Sequence, residues 1–316
     1  MMNDALDAAG PQAAWIARLW WISLWLCVAV FIGVMAALGL ALWRSHRAAR
    51  AAGDPPPRKD RALRVLVGSA TLLSSVLLVG LLEVSVLTDR ALERLPRGDA
   101  LSIRVTAHQW WWEMVYEDAR ADHVFATANE LVIPVGRPVV VTLEADDVIH
   151  SFWVPNLHGK KDLIPGRSTT IEFRADRPGR FVGRCAEFCG LQHAFMAYDV
   201  VALPPDRYAQ WAEHERASAP EPQAADAVRG RELFLTGSCM LCHAVQGTSA
   251  QGRRGPDLTH FASRSHIGAG SIANSPQALA RWIEDPQKLK PGANMPSHFL
   301  PPDDLAALVA YLETLT

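Results

Sequence analysis

Residues 185–196 read CAEFCGLQHAFM, which places two cysteines, a histidine and a methionine within twelve positions. Thiolate, imidazole and thioether are soft or borderline metal ligands, and Cys189, His193 and Met196 follow one another as C-x3-H-x2-M. Two plainer readings compete with a soft-metal site. Cys185 and Cys189 could close a disulfide in an oxidising compartment, or the cluster could hold zinc, although zinc sites rarely enlist methionine. A second chemical signature lies at Cys239-Met-Leu-Cys242-His243. That spacing lets two thiols bond the two vinyl groups of a haem while the adjacent histidine reaches the iron, the c-type attachment pattern. CxxC alone could be a redox dithiol or half a zinc site, but here a histidine follows and no second CxxC completes a zinc ribbon.

The C-x3-H-x2-M loop resembles that of blue-copper proteins, whose site of two histidines and one cysteine has a weak axial methionine and takes its first histidine from an earlier strand. His150 fits that earlier position. Cys185 is then surplus to a single copper. A second copper bridged by both thiolates uses every ligand, giving each ion one histidine and both sulfurs, with Met196 and one carbonyl oxygen as weak outer ligands. The haem needs a sixth ligand from downstream. The C-terminal region resembles small class I cytochromes c, which supply it from a Met-Pro loop before the last helix. Met295 in GANMPSHF is therefore best placed, with His298 behind it and His260 and His266 weaker. Methionine–histidine ligation raises the haem potential and suits an electron carrier. GPDL at 255–258 matches the stretch that supports the proximal histidine in that family.

These ligands need a scaffold. From Leu101 to about Leu203 the chain shows β-branched, part-alternating runs (ELVIPVG, RPVVVTLEA, TTIEFRA) punctuated by Gly and Pro turns, the pattern of a β-sandwich or Greek-key barrel. PPDRYAQWAEHERA reads as a short helix. SAPEPQAADA, rich in Ala, Pro and charge, reads as a linker. Beyond it LAALVAYLETL carries apolar residues at helical spacing, a terminal packing helix.

Upstream, Leu19–Trp43 is a run of 25 residues without a charge and Val65–Leu82 gives 18 more. Both are long enough to cross the hydrocarbon layer as helices. The first exceeds a signal-peptide core and has no small-residue cleavage site after it. Seven Lys/Arg (Arg44, Arg47, Arg50, Arg58, Lys59, Arg61, Arg64) against Asp54 and Asp60 lie between the two runs. That excess puts the intervening loop in the cytoplasm and both termini, with everything after Asp89, outside. Cys27 reads as an inert small hydrophobe and Glu83 as an interfacial residue. The 316 residues, 49% apolar with a net charge of −2, form no basic stripe that would address a nucleic acid.

DDVIHSFWVPNL, KKDLIPGR and GRCAEFCGLQHAFM closely resemble subunit II of haem–copper cytochrome c oxidases, and HQWWWE (His108–Glu113) belongs to the same resemblance. With the haem region it resembles the fused layout of caa-type oxidases. The resemblance implies a multi-domain membrane protein: tail and transmembrane helical hairpin at 1–98 (spans about 19–43 and 65–87), an all-β cupredoxin-like domain at 99–213, a linker at 214–227, and an all-α cytochrome c domain at 228–316. It implies a dinuclear copper (CuA) held by His150, Cys185, the Glu187 carbonyl, Cys189, His193 and Met196. The Glu187 carboxylate would help to hold magnesium against subunit I. Covalent haem c would be carried by Cys239, Cys242, His243 and Met295. By position Trp110 matches the exposed tryptophan through which electrons enter, whereas Trp111 and Trp112 read as packing residues. Where the family commonly has a glutamate at the cytoplasmic start of the second span, this chain has Arg64 nearby, so no proton-uptake role carries over.

The function so implied is electron transfer within a proton-translocating terminal oxidase of a bacterial inner membrane. Its partners would be subunit I, where oxygen is reduced to water, subunit III, and cytochrome c or another periplasmic donor. The subunit that feeds electrons to a CuA-containing nitric-oxide reductase is the nearest alternative. A nitrous-oxide reductase would need a histidine-rich second copper domain, and the quinol-oxidase relative lacks copper. A membrane-anchored copper-binding or copper-delivery protein, the alternative of a different class, gives no reason to attach haem.

Overall fold

The computed structural model describes residues 5–50, 60–92, 95 and 98–316. Asp54, Arg58 and Lys59 of the basic stretch lie outside the described residues. The chain forms two compact units, one of residues 14–94 and one of the N-terminal residues up to Ala13 together with Leu95–Thr316.

The smaller unit is built on helices α1 (Pro11–Arg50) and α2 (Asp60–Leu92), both long and apolar enough to cross a membrane. At 1.5 Å per residue they reach about 60 and 50 Å, well beyond the hydrocarbon thickness of about 30 Å. Each helix is longer than its uncharged run, so residues 44–50 and 60–64, expected in the loop between the runs, are helical. The sequence RSHRAAR after Trp43 consists mostly of good helix formers, and Arg47 lies over the Trp43 ring at 3.9 Å, so α1 continues past the apolar limit. In α2, Ser69, Thr71, Ser74, Ser75 and Thr88 each donate to a carbonyl one turn earlier, which satisfies their hydroxyls without water.

The larger unit begins with a β-sandwich. One sheet has the order β3-β2-β1-β5-β8 and the other β4-β10-β9-β6-β7. Their strands are β1 (Leu101–His108), β2 (Trp111–Glu117), β3 (Phe125–Ala128), β4 (Glu130–Pro134), β5 (Val139–Ala145), β6 (His150–Trp153), β7 (Lys161–Leu163), β8 (Thr169–Phe173), β9 (Gly179–Cys185) and β10 (Ala197–Leu203). The pairings β1–β5 and β4–β10 are parallel and the others antiparallel. Period-2 alternation sends Leu101, Ile103, Val105 and Ala107 of β1 inward to meet Trp112, Met114 and Tyr116 of β2. Trp112, Phe152 and Tyr198 join the two sheets, with Tyr198 5.0 Å from each of the other two rings. The sandwich also binds the N-terminal segment: Ala9 donates to the Asn156 carbonyl at 2.7 Å and accepts from the Asp176 amide at 2.7 Å.

Helix α3 (Pro205–Glu215) follows, opened by proline at its first turn, and packs Trp211 against Tyr116 and Phe125. After irregular chain comes α4 (Ala225–Thr236), then the single turn α5 (Cys239–Cys242), hairpin β11 (His266–Ile267) and β12 (Ile272–Ala273), and helices α6 (Pro276–Glu284), α7 (Pro286–Leu289) and α8 (Pro302–Glu313). Helix α8 buries Ala307, Leu308, Val309, Tyr311 and Leu312. The hairpin, with two residues per strand, is inserted in this otherwise helical domain. Gly268, Ala269 and Gly270 all take positive φ, a turn geometry that two glycines make affordable and that leaves no helical period to read.

Candidate metal centre and haem-attachment site

His150 opens β6 and Cys185 ends β9, and the pairing of these strands brings two residues 35 positions apart together. His150 Nδ1 lies 3.8 Å from Cys185 Sγ. Cys189 Sγ lies 3.7 Å from Cys185 Sγ, 3.6 Å from His193 Nδ1 and 3.8 Å from Met196 Sδ. The Glu187 carbonyl is 3.2 Å from Cys185 Sγ. All six expected ligands therefore gather at one place, with His150, Cys185, Cys189 and Met196 buried. The disulfide alternative fails on distance, since 3.7 Å is far beyond a sulfur–sulfur bond of about 2.05 Å.

Electrostatics fit a cationic occupant. The hydrogen bond from Cys189 is the main cause that lowers the Cys185 thiol far below its usual range, against the effect of burial, and His150 adds to it. Cys189 is raised in turn, first by that hydrogen bond and then by burial. Two buried sulfurs this close cannot both ionise without positive charge between them, which a soft cation supplies. Burial pulls the His150 imidazole down, but Cys185 and Asp147 outweigh it and leave it raised. Asp147 Oδ1 holds His150 Nε2 at 2.8 Å, which turns Nδ1 to the sulfurs and fixes the tautomer. Asp147, absent from the sequence reading, also accepts from the Gln109 amide at 2.6 Å.

The Glu187 carboxylate, 43% exposed, pairs with Lys160 at 3.4 Å. Trp112 is fully buried and Trp111 stacks on His108 at 4.3 Å. Trp110 is half-buried rather than exposed. Its Nε1 donates to the Cys189 carbonyl at 3.0 Å, which Gln109 Nε2 also reaches at 2.7 Å.

In the helical region, Cys239 and Cys242 stand at the two ends of α5, both free and half-buried, with His243 next in the chain. The Pro256 carbonyl accepts from His243 Nδ1 at 2.7 Å. Because a carbonyl only accepts, Nδ1 carries the proton and Nε2 keeps its lone pair. Burial lowers the His243 pKa, so the ring is neutral and able to ligate. A side chain at Gly255 would collide with this ring, its Cβ falling 2.6 Å from Cε1, so GPDL supports the histidine by close approach. Met240, Leu258, Met295 and Leu300 pack on the core yet remain only partly buried, a lining that a large flat apolar group would complete. Gln287 Nε2 ties the Met295 loop by donating to the Ala293 and Met295 carbonyls at 2.8 and 3.1 Å. The weaker axial candidates are engaged elsewhere: His260 lies between the Thr316 and Ala217 carbonyls at 2.8 and 3.1 Å, and His266 pairs with Asp199 at 2.9 Å. His260 also stands close to His214 and Glu215, but its two ring nitrogens already face the Thr316 and Ala217 carbonyls.

The domain that carries these residues touches the 185–196 loop, a relationship the sequence did not reveal. Lys290, Gly292 and Asn294 reach the Trp110 segment, and the β11–β12 turn reaches Phe195 and Ala197.

A family model described as cytochrome c oxidase subunit II, periplasmic domain, matches residues 119–203, and one described as cytochrome c matches residues 227–316. Similar proteins include a cytochrome c oxidase subunit 2 of Alkalihalophilus pseudofirmus, 38% identical over 98% of this chain and 90% of its own. That of Bacillus sp. strain PS3 is 32% identical over 74% of this chain and 67% of its own. Among solved structures, the periplasmic domain of subunit II of cytochrome oxidase from Bradyrhizobium japonicum is 33% identical, covers 39% of this chain and 97% of its own, and has a TM-score of 0.36.

Proposed function

The chain belongs to the cytochrome c oxidase subunit II family, with a cytochrome c domain at its C-terminal end, and on that premise we propose that it carries electrons from a periplasmic donor toward the oxygen-reducing subunit I. The observation that supports this most is the convergence of two thiols, two imidazoles and a thioether on one buried point, beside a domain bearing a CxxCH turn. When bound, haem c and a dinuclear copper would supply one-electron carriers of high potential.

The chain's own residues hold and tune those groups. Cys185 and Cys189 would bind copper as thiolates with His150, His193, Met196 and the Glu187 carbonyl. Asp147 keeps the His150 proton on Nε2, so that Nδ1 stays free to ligate. Gln109 and Trp110 donate to the Cys189 carbonyl and hold the loop's shape. Cys239 and Cys242 would tether the haem, and His243 and Met295 would ligate its iron. Burial of the ligands excludes water and limits rearrangement when charge changes, which favours fast transfer.

The remaining assignments rest on the family. The oxidase sits in a bacterial inner membrane, which the chain crosses twice with both termini on the periplasmic side. Its parts are a hairpin to about residue 98, a copper domain at 99–213, a linker at 214–227 and a haem domain at 228–316. Subunits I and III are its neighbours, cytochrome c or another periplasmic protein is the donor, and Glu187 contributes to a magnesium shared with subunit I. A carboxylate suits that hard cation, but Lys160 competes for it.

The test is spectroscopy of the full chain purified from membranes. One unpaired electron shared over two copper nuclei, together with a haem c absorption spectrum, is the expected result. A hyperfine pattern from a single copper nucleus overturns the dinuclear reading, and absence of both chromophores overturns the function.

A further inference from the structure

Lys290 is 2% exposed, and the hydrogen bonds of its ammonium group among the described residues all go to backbone carbonyls. Its Nζ donates to the carbonyls of Trp110 at 2.9 Å, Phe195 at 2.8 Å and Gly268 at 2.9 Å. An ammonium group has three protons, and each is directed to a different segment: the aromatic stretch, the copper-ligand loop and the β11–β12 turn. Burying a charge is costly unless every donor is matched, and here every donor is. A lysine that merely filled space at this point would be replaced at less cost by leucine or methionine. Burial, partly offset by Cys189, lowers its pKa to about 8.

The contacts around Lys290 converge on the same two loops. The Trp110 indole lies between two glycines. A Cβ on Gly190 would fall 3.1 Å from Trp110 Cζ2, and one on Gly292 would fall 3.7 Å from Cη2 and 2.9 Å from Leu191. Both glycines also have positive φ, so a side chain at either position is doubly disfavoured. Asn294 Nδ2 donates to the Gln109 carbonyl at 2.9 Å, and Gln192 Nε2 to the Pro291 carbonyl at 2.7 Å. Met196 is held from both flanks. Phe195 offers its carbonyl to Lys290 and, at 3.3 Å, to Ser271 Oγ, and the Ala197 amide donates to Ala269 at 3.0 Å.

We infer that Lys290 is a positioning residue: it pins the Met295 loop and the β11–β12 turn onto the copper-ligand loop, fixes the geometry between the two redox centres, and closes the Trp110 face to a soluble protein donor. The pinning depends only on these contacts. Its consequence for electron flow rests on the proposed function.

The variant Lys290→Met keeps the apolar stem and removes all three donors. In the assembled oxidase, amide hydrogen exchange of residues 193–199 and 266–273 should rise by about tenfold or more, the scale expected for losing charge-assisted hydrogen bonds, while β1 and β2 keep their protection. Intramolecular electron transfer after photoreduction of the haem should slow by about tenfold or more, and the copper hyperfine pattern should shift. Wild-type exchange at these segments overturns the pin. Raised exchange with an unchanged transfer rate overturns the positioning role. Raised exchange in a chain that binds neither copper nor haem keeps the pin and sinks the function instead. If Lys290→Met does not assemble, Ser271→Ala, which removes a second donor to the same Phe195 carbonyl, should raise exchange in the same two segments by about threefold, and no rise there overturns the inference.

Discussion

Asp147 Oδ1 and His150 Nε2 lie 2.8 Å apart, and this pairing decides which imidazole nitrogen faces the sulfurs. Asp147→Asn brings an amide that competes with the amide proton of Gln109 and the ring proton of His150. Copper affinity should fall by about 10–100-fold, the usual effect of losing such an outer partner. A copper competition titration measures this, and an unchanged affinity removes Asp147 from the site.

In the proposed reading Cys185 is what would separate a two-copper centre from a one-copper centre. Cys185→Ser leaves a single thiol, Cys189, near His193 and Met196, a set suited to one ion. Metal analysis should find the copper content per chain halved, and electron paramagnetic resonance should show coupling to a single nucleus. A retained dinuclear spectrum contradicts the proposed ligand set.

Met295→Ala should abolish the methionine-to-iron absorption band of the oxidised haem and lower its potential. His298→Ala should leave the band in place. Absence of the band from the unsubstituted chain, with loss of the six-coordinate haem spectrum in His298→Ala, makes His298 the axial ligand instead.

Glu215, 8% exposed, has its carboxyl pushed up to about 7 by burial, with Arg264 and His214 pulling part of the way back. The folded chain thus keeps this proton between pH 4.5 and about 7, whereas the unfolded chain releases it near 4.5. With more protons bound in the folded state, stability falls as pH rises through that window and levels off above it. Glu215→Gln removes the loss. It should stabilise the chain by up to about 3 kcal/mol at pH 8 and by little at pH 4, measured by denaturant unfolding of the full chain at both values. Equal effects at the two pH values refute the assignment.

Much of the candidate metal centre was legible because four of the side chains that converge there fall within twelve consecutive residues and the fifth opens a strand. The haem turn was legible for the same reason. Asp147 was not, since an acid beside another acid before a strand looks like solvated surface until strand pairing brings it against Gln109. Lys290 was hidden more deeply. In KLKPGANM it reads as one of two loop lysines, and its partners are up to 180 residues away. The same holds for His266, a weak axial candidate in the sequence that the fold directs to Asp199 instead. Helix ends were not legible from the apolar runs, because charged helix formers carry α1 beyond its run to Arg50.

The contact between the two domains consists of carbonyl-directed hydrogen bonds, glycine against indole, and the Asp199–His266 pair, and irregular chain at 216–224 joins them. A donor on a tether acts at a fixed effective concentration, and added salt mainly screens exposed charges that steer free encounters. If electrons pass between the domains as proposed, that passage should be a first-order event, indifferent to ionic strength and to how much carrier protein the cell makes. Only an encounter with an outside donor would then be subject to both.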